Sequence, residues 1–173
     1  HSVGEYAAAC LAGVMAPETA VRLVTRRGML MGSLPAGGCM VGVFASEERL
    51  TPLLAEINTG AERLCIAATN APEQTTVSGD AEAAATFLAR LTREGLAYKE
   101  LFVSHAFHSH MMDPILEDFQ AEAESCEFLP PTVPVISNVT GLAATSEELR
   151  SAAYWTKHLR RPVRFMQGLD AVV

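Results

Sequence analysis

Six segments between residues 38 and 104 decide how this chain folds: "CMVGVFA" (39–45), "ERLTPLLAEI" (48–57), "RLCIAAT" (63–69), "QTTVSG" (74–79), "AEAAATFLARLTREG" (81–95) and "YKELFVS" (98–104). The first, third, fourth and last are short, rich in Val, Ile, Thr, Phe and Tyr, and bounded by Gly, Pro, Asn or Ser, which is the pattern of strands. The second and fifth place apolar residues at helical spacing, and Gly95 stops the fifth. The turn "NAPE" (70–73) joins the third and fourth segments. The order is βαββαβ, the split βαβ sandwich of the ferredoxin-like type. It is expected to occupy residues 38–104 as an inserted subdomain.

On either side the reading changes to helices around a core. Ahead of the insert, "VGEYAAACLAGVM" (3–15) is apolar nearly all round, as a helix buried against a sheet would be, with Gly13 near its end. A second helix runs from about Pro17, a residue suited to a first helical turn, to the break at Pro35–Gly37. Beyond the insert, "SHMMDPILEDFQAEAES" (109–125) reads as one helix, "VPVISNV" (133–139) as a buried strand, and "SEELRSAAYWTKHL" (146–159) as a helix capped by Ser146. The expected fold is therefore α/β. It is a partial α/β-hydrolase-like core, lacking its N-terminal strand segment, built from residues 1–37 and 105–173 and interrupted by the ferredoxin-like subdomain.

Composition limits the functions available. The 173 residues are 49% hydrophobic and 19% charged, enough apolar material for a packed core. No apolar run reaches the roughly 20 residues of a membrane span. A net charge of −7 argues against a phosphate-backbone partner. The four cysteines, Cys10, Cys39, Cys65 and Cys126, are too scattered for a zinc knuckle and read as small buried hydrophobes of a reducing cytosol. His105, His108 and His110 sit close together in "SHAFHSH" (104–110), but their alternation scatters the rings and no HExxH motif accompanies them.

One further tetrapeptide carries chemistry. In "HSVG" (1–4), Ser2 stands on what would be a sharp strand-to-helix turn, with its hydroxyl raised and a positive helix end behind it. An ordinary serine N-cap has the same appearance. Taken alone, the tetrapeptide leaves nucleophile and cap both open.

Six motifs in order resemble the acyltransferase (malonyl-CoA:acyl carrier protein transacylase) domains of type I polyketide synthases and fatty acid synthases: "HSVGEYAAACLAGV" (1–14), "RRGMLM" (26–31), "NAPEQTTVSG" (70–79), "SHAFHSHMM" (104–112), "PVISNVTG" (134–141) and "YWTKHLRRPVRF" (154–165). The family's nucleophile turn reads Gly-His-Ser-x-Gly, so the chain is expected to be an internal piece of a larger synthase, entered within that motif. The resemblance implies Ser2 as the acyl-accepting nucleophile and His108 as its base. It implies the Val3 backbone N–H as an oxyanion donor and the backbone carbonyl of His158 as the group orienting the base, so a dyad with no acidic third member. Arg27 would clamp a substrate carboxylate through its planar fork. Met31 would form the pocket floor, and Asn70 would line the cleft, while Arg22 and Arg26 read as solvated helix-face charge. His105-Ala106-Phe107-His108 is the malonyl-type signature, with His105 in support and Phe107 filling the space of an α-methyl branch.

The implied function is transfer of malonyl from coenzyme A, through a Ser2 ester, to the phosphopantetheine thiol of an acyl carrier protein. No bound cofactor and no metal are implied. The expected partners are that carrier and the neighbouring ketosynthase and other synthase domains of the same polypeptide, in the cytoplasm, with neither nucleic acid nor membrane. A serine hydrolase or thioesterase on a related core would instead need an acidic triad member. A non-catalytic spacer or docking domain would need none of these side chains.

Overall fold

Apolar residues gather around two centres rather than one. The structure, a computed structural model, describes residues 1–172. One cluster takes Tyr6, Leu23, Met31, Met112, Phe119, Trp155 and Leu159, from both ends of the chain. The other takes Val41, Val43, Leu50, Leu64, Val77, Phe87 and Leu91, all from the middle.

The middle segment forms β1 (Gly38–Val43), α3 (Glu47–Ile57), β2 (Leu64–Ala71), β3 (Gln74–Asp80), α4 (Ala81–Arg93) and β4 (Tyr98–Leu101). The four strands make one antiparallel sheet in the order β2-β3-β1-β4. Period 2 along β1 sends Val41 and Val43 to the face covered by α3 and α4, whose Leu50, Leu54, Phe87 and Leu91 complete that core. Met40 lies between, on the opposite face. α3 starts where Ser46 accepts the Arg49 N–H. α4 ends before Gly95, whose φ of +68° turns the chain toward β4.

Around the first cluster stand α1 (Gly4–Leu11), α2 (Pro17–Ser33), α5 (Leu116–Glu124), α6 (Ser146–Leu149), α7 (Ala152–Arg160) and α8 (Phe165–Asp170). α2 opens on Pro17 as its first helical residue, as the sequence implies. None of the helices among the described residues is long and apolar enough to cross a membrane.

Three readings of the C-terminal part are corrected. Residues 109–125 are not one helix: a 3-10 turn, His110–Ile115, precedes α5, because Pro114 removes an N–H and biases Asp113 away from the α conformation. Residues 146–159 are two helices. The first is capped by Thr145, not Ser146, because Thr145 and Glu148 complete a capping box, whereas the residue three after Ser146 is Leu149 and cannot return the bond; the second starts after Ser151, whose side chain makes no cap bond. Residues 133–139 form no strand. Among the described residues no strand runs beside them; Ile136 makes an isolated bridge to Ala143, and the Asn138 N–H goes to the carboxylate of Glu5. All four cysteines are free and half-buried rather than fully buried.

The two clusters meet at narrow points. A Cβ added to Gly38, the first residue of β1, would lie 2.5 Å from Ala106 Cβ and 2.9 Å from its backbone N. This approach sets the loop carrying Phe107 and His108 against the sheet. Gly38→Ala is expected to lower stability by about 1–3 kcal/mol through overpacking, measured by denaturant unfolding; an unchanged midpoint would show that the loop yields freely.

Candidate active site

The turn before α1 holds Ser2 at φ +48°, one of two non-glycine residues with positive φ among those described; the other is His108, at +57°. Such backbone costs about 1–3 kcal/mol at each position and persists only where surrounding contacts enforce it. The two strained residues face each other. Ser2 Oγ lies 2.9 Å from His108 Nε2.

Two contacts define the protonation pattern, and a third holds the backbone of His108. His108 Nδ1 lies 2.8 Å from the backbone carbonyl of Arg161, an acceptor, so Nδ1 carries the proton and Nε2 presents a lone pair to Ser2. Arg27 Nη2 donates to Ser2 Oγ at 3.0 Å, which leaves the serine proton directed at Nε2. Cys65 Sγ donates to the carbonyl of His108 at 3.4 Å, its own thiol pushed up to about 12 by burial. The third group on the histidine is thus a main-chain carbonyl and not a carboxylate; Asp113 is engaged by Arg160 instead.

That carbonyl belongs to Arg161 and not to His158, which corrects the sequence reading. His158 lies inside α7, where carbonyls run along the helix axis, whereas Arg161 is the extended C-cap, with ψ 157°, and turns its carbonyl outward. The segment after it is held by the sheet. Thr69 N–H donates to the Val163 carbonyl and Val163 N–H to the Ala67 carbonyl, each at 2.9 Å, so the open edge of β2 takes one more extended residue. The ring of His158 is buried beside Glu5, with Nε2 3.3 Å from the carboxylate.

Ser2, Arg27 and His108 form the polar end of a cleft of about 400 Å³; Val24, Met31, Met40 and Phe107 line its apolar part, and Val3 stands at its mouth. Met31 and Phe107 are both among the residues that line the cleft. Met40 was missed, although strand alternation in "CMVGVFA" puts it on the face away from Val41. Val3, helical at φ −50° and ψ −30°, immediately precedes α1, whose first N–H groups, those of Gly4, Glu5 and Tyr6, bond to the carbonyls of His1, Ser2 and Val3. Asn70 does not line the cleft: it accepts a hydrogen bond from His1 Nε2 at 2.9 Å and so braces the residue before Ser2. His105 holds the Leu34 carbonyl at 3.1 Å and His110 holds Asp80 at 3.1 Å, so the three clustered histidines go to three separate partners. Arg22 and Arg26 lie against Glu122 on the outer face of α2, as expected of solvated charge.

The electrostatics of the cleft are unusual. The Arg27 residue is 6% exposed, and among the described residues no carboxylate pairs with it. Burial lowers its pKa from the usual arginine range. Burial also drives His108 down to about 3, with the charge of Arg27 and the neighbouring His158 adding to the effect against the hydrogen bond to Arg161. The base is neutral at neutral pH.

The chain matches the acyl transferase domain family over residues 1–173. It is 47% identical over 170 residues to the mycoketide-CoA synthase of Mycobacterium tuberculosis, an alignment covering 98% of this chain and 4% of that protein. The acyltransferase domain from the second module of the salinomycin polyketide synthase superposes with a TM-score of 0.93 at 44% identity, over 99% of this chain and 39% of the solved one. The malonyl CoA-acyl carrier protein transacylase of Burkholderia pseudomallei superposes with a TM-score of 0.88 at 31% identity, over 99% of this chain and 58% of that one. The chain thus spans a small part of the synthase and less than two thirds of either solved structure.

Because the folded pKa of His108 lies below the unfolded value of about 6.5, the unfolded chain binds the extra proton between the two. The contribution of this group to stability is full above about pH 6.5 and is lost as pH falls toward 3. In an NMR titration of the folded protein, the His108 ring signals should stay unchanged down to about pH 4. A midpoint near 6.5 would contradict the buried, neutral assignment.

Proposed function

The chain belongs to the acyl transferase domain family, and from that premise we propose that its cleft moves a malonyl group from coenzyme A to the phosphopantetheine thiol of an acyl carrier protein. The observation that carries this reading is the buried guanidinium of Arg27, unpaired with any described carboxylate and within one hydrogen bond of Ser2 Oγ. A carboxylate held in the fork of Arg27 lies next to the nucleophile, so the acyl group it belongs to is short. Malonyl, with one carbon between carboxylate and thioester carbonyl, meets that requirement.

The steps follow from the geometry. Ser2 Oγ attacks the thioester carbonyl while His108 Nε2 takes its proton, and the Val3 N–H donates to the oxyanion of the tetrahedral intermediate. The carbon–sulfur bond breaks, the thiol of coenzyme A leaves with the proton from His108, and a malonyl ester remains on Ser2. The carrier thiol then repeats the sequence in reverse, with His108 as base and Ser2 Oγ as leaving group. A base pKa far below neutrality keeps Nε2 free to accept at each start, and the Arg161 carbonyl stabilises the imidazolium that forms in between. No bound cofactor takes part.

The finer architecture belongs to the same proposal. Residues 1–37 and 105–173 act as a hydrolase-like core, and residues 38–104 as a ferredoxin-like subdomain whose sheet contributes Met40 to the cleft and docks the segment behind Arg161. Phe107, on the cleft wall next to the base, occupies the space that an α-methyl branch would need, which favours malonyl over methylmalonyl by about 1–3 kcal/mol. His105 supports this wall from behind through Leu34. In a multidomain synthase of the cytoplasm, the carrier and a ketosynthase are the partners.

The test is Arg27→Ala in the complete acyltransferase domain. A lost hydrogen bond to a charged group is worth about 1.5–3 kcal/mol, so malonyl loading relative to acetyl loading is expected to fall by roughly one to two powers of ten. An unchanged ratio of the two adducts on Ser2 would place the carboxylate elsewhere.

A further inference from the structure

The strained backbone of Ser2 has an anchor. Its N–H donates to Asn138 Oδ1 at 2.6 Å, a bond that also fixes the amide orientation, since a backbone donor requires the oxygen there. Asn138 lies in the segment following Val135, which forms a turn in place of the expected strand, and its main chain is held on both sides. Its N–H donates to Glu5 Oε2 at 2.7 Å, and its carbonyl accepts from the Arg164 N–H at 2.7 Å.

Each of these contacts leads to a member of the dyad. Glu5 stands in the first turn of α1, three residues after Ser2, so Ser2, Asn138 and Glu5 close a small ring through the chain itself. The Glu5 side chain is 1% exposed, accepts from the Tyr154 hydroxyl, and has His158 alongside. Burial alone would raise the pKa of its carboxyl, but His158, Tyr154 and the Asn138 N–H together hold it below the usual range. Arg164 follows Val163, the residue docked on β2, and lies three positions beyond Arg161, whose carbonyl orients His108. One residue thus touches both the nucleophile turn and the segment that aims the base.

We propose that Asn138 is the positioning residue of the dyad, holding the Ser2 N–H through its side chain and the segment 161–164 through its carbonyl, with Glu5 fixing it from below. Ser2 is thereby kept in the left-handed conformation that raises Oγ to Nε2. The Ser2 N–H is engaged by this bond, which leaves oxyanion donation to Val3. The inference rests on the dyad reading of Ser2 and His108 and adds to it a residue that touches no reacting atom.

The experiment uses the complete acyltransferase domain and two readouts: steady-state malonyl loading, and the rate at which a fluorophosphonate probe labels Ser2, which needs no acyl substrate. Asn138→Ala removes the side-chain acceptor; Asn138→Asp restores it in the same shape. Misplacing a nucleophile by about 1 Å costs on the order of 10²-fold. Asn138→Ala is expected to lower kcat and the labelling rate together by that order, leaving KM for malonyl-CoA within about twofold, and Asn138→Asp to recover most of both. Thermal melts accompany each variant, and Asn138→Ser, too short to reach the Ser2 N–H, takes the place of the alanine variant if that does not fold. An unchanged labelling rate in Asn138→Ala, or a loss that Asn138→Asp does not recover, overturns the proposal. A parent domain that is labelled on Ser2 but never malonylated would sink the malonyl reading and leave the anchor standing.

Discussion

The hydrogen bond from His108 Nδ1 to the Arg161 carbonyl decides which nitrogen of the ring faces Ser2, and the rest of the site is arranged so that this bond can exist. Arg161 ends α7 in an extended conformation. Val163 is paired to the edge of β2, and Arg164 to the carbonyl of Asn138 and the carboxylate of Glu47. The small sheet is therefore more than an appendage. Its edge strand supplies the backbone partners that keep the last turn of the helical part from fraying, and its β1 meets the loop of His108 at Gly38 with no room for a side chain. A carbonyl serves this purpose because it accepts the Nδ1 proton without bringing a second buried negative charge into the cleft.

Charge is distributed sparingly. Arg27 and His108 are both buried beside one cleft, where burial, reinforced by the guanidinium, keeps the imidazole neutral, and the imidazole in turn offers Arg27 no counter-charge. One layer below, Glu5 and His158 form a buried pair bound to Tyr154 and to the Asn138 N–H. Breaking such a pair strands a charge in a low dielectric, and the Glu5 carboxylate is held in addition by the Tyr154 hydroxyl and the Asn138 N–H. The layer gives the strained turn at Ser2 a rigid floor.

Much of this was legible in the sequence, and the parts that were not share a physical reason. The order of strands and helices over residues 38–104 could be read because period 2 and period 3.6 are properties of side chains. Ser2, Arg27, Phe107 and His108 could be picked out through ordered motifs, and the fold brings them together around one cleft. The orienting carbonyl could not be placed correctly, because every residue has a carbonyl and only the end of α7 determines which one turns outward. The turn at Asn138, a residue of the motif "PVISNVTG", was hidden for a similar reason: its segment reads as a buried strand from Val133, Val135 and Ile136, and a strand becomes a turn when no partner strand lies beside it. Asn70 was misplaced by one contact, since a motif names a residue but not which neighbour it holds.

The central claim is that Ser2, freed of its proton by His108, carries the acyl group beside a carboxylate clamp. Incubation of the complete domain with malonyl-coenzyme A, followed by intact-mass and peptide analysis, tests it most directly. The account requires a single malonyl adduct on Ser2 that disappears in Ser2→Ala. A malonyl adduct that persists in Ser2→Ala, or that maps to another residue in the parent domain, would contradict it.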